Sequence, residues 1–192
     1  MSAGDYRNAG FGLTCKIPTG WVLRTEEMNA ADISAAPEQS RAALDQTAPS
    51  ASLRASLGSC PNGCGKVLLA AFSRPPEARA EDINASILIA AESAAEYPGL
   101  KYAAQYFGPV MEVAKAQGFE IDDEPYEFPV GSKTVARADF QKDVGTRVMR
   151  QSTLVMLARG CVVSFTFIAG TEDEVEELVQ GLSFAVAGKA VK

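Results

Sequence analysis

The sequence contains no histidine. That absence excludes Ser-His-Asp and Cys-His catalysis and histidine-ligated zinc, since each needs an imidazole as base or ligand. It leaves carboxylate chemistry open. Long apolar runs are missing too. No stretch reaches the roughly 18 residues that a membrane-spanning helix requires, so no membrane span is expected. Basic residues are in deficit, with 18 Lys and Arg against 24 Asp and Glu, a net charge of -6 and a pI near 4.8. Without a Lys/Arg cluster the chain is a poor partner for nucleic acid or for anionic membrane surfaces. The first ten residues, MSAGDYRNAG, lack the apolar stretch of a signal peptide. They fit a mature chain whose export signal has been removed.

What is present reads as one folded domain over 1–192, with an Ala/Ser-rich excursion at about 25–65. Hydrophobic residues make up 47% and charged residues 22% of the 192 positions, enough apolar surface for a sizeable core. Residues 11–17, FGLTCKI, alternate with period two, placing Phe11, Leu13, Cys15 and Ile17 on one face of a strand. Pro18-Thr19-Gly20 turns the chain, and Trp21 opens a second strand, so a hairpin is expected. Within the excursion a short helix is expected from about Pro37 to Gln46. The run KVLLAAF at 66–72 fits a strand buried on both faces.

Residues 80–97 carry Ile83, Ile87, Ala90, Ala91, Ala94 and Ala95 at helical spacing, closed by Pro98-Gly99, which predicts a helix. Further helical pieces are expected at 101–107 and from Pro109 to Gln117. From 119 onward four strand-like stretches follow one another across short turns, the pattern of an antiparallel meander. A last helix, 172–182, begins with a capping box of Thr171 and Glu174 and carries an apolar stripe of Val175, Leu178, Val179 and Leu182. The fold class is therefore α+β, an antiparallel sheet with helices on both faces.

The stretch SCPNGCGK, 59–66, looks most like a site. As a zinc half-site it would need Cys15 and Cys161 as the other half, and both fall in the inward phase of strands. The spacing is too long for a thioredoxin-type pair, and it lacks the first Gly and the Ser/Thr of a phosphate loop. A local Cys60–Cys64 disulfide is the expectation, because Pro61-Asn62-Gly63 can turn the chain tightly enough. The ring would contribute only about 2 kcal/mol. Whether Cys15 and Cys161 are paired or free stays open. A disulfide implies an oxidising compartment, hence a periplasmic or extracellular protein; free thiols would instead indicate a cytoplasmic one.

Carboxylates cluster at Glu120, Asp122, Asp123 and Glu124. They are expected on a solvated strand edge, with no catalytic and no metal role. Tyr97, Tyr102, Tyr106 and Phe107 form an aromatic patch that packs helix on sheet or lines a candidate groove.

The stretch Phe11-x₅-Ile17-Pro18-x-Gly20-Trp21 resembles the opening hairpin of the PsbP-like and DcrB-like proteins. The end of the chain is similar to theirs as well: a long strand, then an acidic-capped helix reaching Leu182-Ser183-Phe184. The 25–65 excursion and its cysteines depart from that pattern. The resemblance implies an αβα sandwich and a non-enzymatic accessory or binding role, with no cofactor and no catalytic residue to carry over. Partners would be a protein or a small ligand. The alternative is an intracellular chaperone-like adaptor that holds an apolar client helix.

Overall fold

A computed structural model describes residues 4–33, 64–75 and 83–185. The expected 37–46 helix and Cys60 lie outside the described residues. Among the described residues eleven strands and three α-helices follow in chain order: β1 (Gly4–Asn8), β2 (Leu13–Ile17), β3 (Val22–Leu23), α1 (Thr25–Ile33), β4 (Lys66–Phe72), β5 (Ser86–Ser93), α2 (Phe107–Ala116), β6 (Glu120–Ile121), β7 (Tyr126–Val130), β8 (Lys133–Val144), β9 (Arg147–Ala158), β10 (Cys161–Ala169), α3 (Glu172–Gln180) and β11 (Leu182–Phe184). Short 3₁₀ turns at Ala94–Glu96 and Ala103–Tyr106 link β5 to α2.

The large sheet is antiparallel in the order β3-β4-β5-β10-β9-β8-β6, with β7 also paired to β8. A second sheet has the order β1-β2-β11. The meander was legible because each turn supplies positive φ where it is needed. Gly145 has φ 62° between β8 and β9, and Gly160 has φ 77° between β9 and β10. All nine residues of β10 are buried, as a central strand covered on both faces requires.

Alternate residues of the same strands feed two cores. Leu69, Ile87, Ile89, Leu154, Val163, Phe165 and Phe167 face Val175, Leu178 and Val179 of α3 and Leu13, Leu182 and Phe184 of the small sheet. Phe165 and Phe184 meet edge to face, ring centroids 5.9 Å apart. Ala136, Ala138, Phe140, Val155 and Val162 point the other way, onto Tyr106, Phe107 and Ala114. The expected stripe of Val175, Leu178, Val179 and Leu182 is buried throughout.

The α3 start matches its sequence signature. Thr171 Oγ1 accepts from the Glu174 backbone N–H at 3.2 Å, and Glu174 Oε2 accepts from Thr171 N–H at 3.0 Å. The helix itself stops at Gln180, two residues before the expected end. Thr171→Ala should cost about 1 kcal/mol in urea unfolding, with the sheet intact by far-UV circular dichroism.

Three expectations are corrected. Residues 80–97 are not a helix: 86–93 form β5, at the middle of the large sheet between β4 and β10. Both faces of β5 are covered, so its apolar run carries no two-residue alternation, and its alanines imitate helical spacing. The expected hairpin across Pro18–Gly20 does not form. β2 joins the small sheet, whereas Val22 and Leu23 pair with Phe72 and Ala71. Gly20, at φ 87°, carries the chain between the two sheets.

The third correction is α1, a helix inside the presumed excursion. Two of its side chains bond the β4 backbone. Asn29 Nδ2 donates to Val67 O and its Oδ1 accepts from Val67 N–H, both at 2.9 Å, beside the irregularity between Val67 and Leu69. Thr25 Oγ1 accepts from Ala70 N–H at 2.9 Å.

Candidate functional site

The expected Cys60–Cys64 bridge is contradicted. Cys64 is bonded to Cys161, with Cα atoms 5.8 Å apart and a separation of 97 positions in sequence. The register explains the pairing. Lys66 lies opposite Ala91, so Cys64 reaches the level of Ser93 on one side of β5, and Cys161 lies opposite Ser93 on the other side. At Ala94 the chain leaves the sheet, its N–H bonding Gly160 O at 2.9 Å. With β5 ended, the flanking strands close over its tip within disulfide reach. Cys15 is a buried free thiol whose pKa burial pushes up to about 12, which makes it inert.

The acidic cluster behaves as a solvated edge. Glu120, Asp122, Asp123 and Glu124 are all exposed. Asp122 pairs with Arg150 at 3.4 Å, and Glu120 accepts from Gln141 at 3.3 Å. Among the described residues no group of three or more Cys, Asp or Glu side chains is gathered for a metal.

The aromatic patch contributes to the packing layer between the sheet and α2. Tyr106 and Phe107 are buried, Tyr97 is half-buried, and only Tyr102 is exposed. Sequence reasoning missed the acid beneath them. Glu92, on β5, is 1% exposed. Tyr106 donates to its Oε1 at 2.9 Å and Tyr97 donates to its Oε2. The two phenol rings meet edge to face at 5.1 Å. Burial raises the Glu92 pKa, and the two phenol hydrogen bonds oppose that rise without cancelling it. Burial and then the Glu92 charge push the Tyr106 phenol up as well. The helix reading of 80–97 hid this acid, because Glu92 is not among the residues of the apolar stripe on which that reading rested.

A second polar cluster lies on the opposite face of the sheet. Arg137, on β8, is buried between Asp139, at 2.9 Å, and Glu176 of α3. Its guanidinium stacks over Phe128, 4.7 Å from the ring centroid. Burial opposes its charge, but the Glu176 hydrogen bond and the Asp139 charge outweigh that and raise its pKa. Tyr126 donates to Asp139 at 2.9 Å, and partial burial followed by that bond lifts its pKa to about 12.

Among the described residues a cleft of about 900 Å³ lies where α3, the β2–β3 connection and the end of β10 meet. Ile17, Pro18, Trp21, Ala85 and Leu178 supply apolar lining, and Lys16, Arg147, Glu174 and Glu177 supply charge. Trp21 is the sole tryptophan of the chain and is half-buried here. The Pro18-Thr19-Gly20 turn read from sequence thus shapes one wall of a cleft.

No protein-family model matches the chain, and no curated protein matches it. Solved structures similar in fold include a cyanobacterial PsbP, CyanoP, from Synechocystis sp. PCC 6803. It shares 14% identity over 96% of this chain and 93% of that one, with a TM-score of 0.49. LpqN of Mycobacterium tuberculosis, involved in cell envelope biogenesis, shares 12% over 96% and 91%, with a TM-score of 0.40. The Ran-binding protein Mog1p of Saccharomyces cerevisiae shares 14% over 96% and 86%, with a TM-score of 0.43. At these identities the likeness is one of fold alone.

Proposed function

We propose that this is a non-enzymatic accessory or binding protein of a periplasmic or extracellular space, built as a PsbP-like αβα sandwich. In this reading it takes an apolar group of a protein partner or a small ligand into the cleft beside Trp21. The cleft is the observation that carries the proposal. An apolar floor with a charged rim is the usual composition of a ligand site, where the apolar part supplies affinity and the few polar groups fix orientation. The Cys64–Cys161 bridge favours export over the intracellular adaptor, since structural disulfides persist in oxidising compartments.

The test uses the single tryptophan. Anilinonaphthalene sulfonate, an apolar dye with one anionic group, should bind saturably and take energy from Trp21. Thr19→Glu, at the exposed rim of the cleft, adds a charge of the same sign as the dye and should weaken that binding by about tenfold or more while leaving the thermal midpoint unchanged. No transfer from Trp21, or equal binding by Thr19→Glu, would remove the cleft as the binding site.

A further inference from the structure

Glu92 is the one fully buried carboxyl of the described residues, and it lies under a segment made of turns. Residues 94–107 cross the α2 face of the sheet as two short 3₁₀ turns and their connections before α2 begins. Ala94, Tyr97, Leu100 and Ala103 are only partly buried there. Segments of this kind open at low free-energy cost. Both phenols that hold this segment over the sheet, Tyr97 and Tyr106, bond to the two oxygens of Glu92. We propose that Glu92 is a proton-operated latch: neutral, it keeps the 94–107 segment closed on the sheet, and ionised, it releases that segment so that water reaches the carboxylate.

The surroundings fix the direction. Tyr97 and Tyr106 are the groups that act on Glu92, and neither carries positive charge. Lys66 lies opposite Ala91 and therefore shares the other face of the sheet. Val162 of β10 is the cross-strand neighbour of Glu92, and Val67 of β4 lies opposite Ala90 on the same face. Both are apolar. Glu96 and Lys101 of the covering segment and Glu112 and Lys115 of α2 are exposed. An ionised Glu92 is thus buried with two neutral donors and no counter-charge, which favours protonation or opening. An acid whose folded pKa is raised contributes stability that is complete below its unfolded pKa. That stability is lost as pH rises through the folded value. The closed state is therefore the low-pH state.

Opening would uncover Tyr106, Phe107 and the apolar face formed by Ala138, Phe140, Val155 and Val162. The device would accordingly show a second apolar surface, on the face opposite the Trp21 cleft. It does not depend on that cleft binding anything.

Hydrogen exchange of the full chain, read by mass spectrometry and corrected for the intrinsic effect of pH, tests this. Protection of 94–107 should fall by about tenfold or more between about pH 5 and about pH 8, while β8, β9 and β10 keep theirs. Glu92→Gln should keep the segment protected at both pH values. Tyr97→Phe is nearly isosteric and removes one of the two bonds that hold the segment, a loss greater for the carboxylate than for the neutral acid, so its midpoint of opening should move to lower pH. It keeps the test decisive if Glu92→Gln fails to fold. Equal protection of 94–107 in the native chain at both pH values would overturn the latch. So would a Tyr97→Phe midpoint that does not move, or a loss of protection spread over the whole sheet.

Discussion

Replacing Cys64 and Cys161 together by alanine is expected to lower the free energy of unfolding by about 4–5 kcal/mol. The bridge spans 97 residues, and the loop-entropy argument assigns about that much to a ring near 100 residues. Against the 5–15 kcal/mol typical of a domain, this is the difference between a stable fold and a marginal one. The location of the bridge strengthens the expectation. It closes β4 and β10 over the end of β5, at the place where the chain leaves the sheet. Denaturant unfolding of oxidised, reduced and doubly substituted protein measures the effect. The reduced and substituted forms should agree within about 1 kcal/mol. Cys60→Ala should match the native protein, because Cys64 is committed elsewhere. A large loss in Cys60→Ala and none in Cys161→Ala would restore the local ring.

Arg137→Ala is expected to cost about 3 kcal/mol. Removing one partner of a buried charge pair leaves the other uncompensated, at about 3–5 kcal/mol. The lower end applies because Asp139 and Glu176 keep 23% and 36% of their side-chain surface in water. Arg137 also joins α3 to the sheet and covers Phe128, so its stem contributes by packing. Arg137→Met keeps much of that packing and should lose less than Arg137→Ala by about 1 kcal/mol. The double variant Arg137→Met/Glu176→Gln should recover part of the loss, since it removes one of the stranded carboxylates. Additive losses in that cycle would show that the pair is not coupled.

The back half of the fold was legible in the sequence because each element there settles its own identity. Short turns force β7 to β10 into a meander, and Thr171 with Glu174 marks the α3 start. The front half depends on neighbours that the sequence does not show. Residues 86–93 have Ile87, Ile89 and Ala91 on one face and Leu88 and Ala90 on the other. Only the presence of β4 and β10 on either side makes that run a strand. α1 was missed for a related reason. It attaches through Asn29 and Thr25, with Met28 as its apolar contact, so it shows little stripe to read.

The disulfide error follows from the β5 error. With 80–97 read as a helix, nothing brought 64 near 161, and the nearest cysteine in sequence looked like the partner. The same misreading concealed Glu92. For the site, the Pro18-Gly20-Trp21 stretch was visible as a turn, but its role as a cleft wall needed the return of α3 and β11 from the end of the chain.

The proposed export of the protein rests on the bond between residues 64 and 161, and one measurement addresses that bond directly. Cells producing the protein in its native setting are lysed into denaturant with excess alkylating agent, and the unreduced chain is cleaved and mapped. A Cys64–Cys161 cross-linked peptide is expected, with Cys15 and Cys60 alkylated, two thiols among the four cysteines. Alkylation of all four cysteines, or a Cys60–Cys64 peptide, would contradict it.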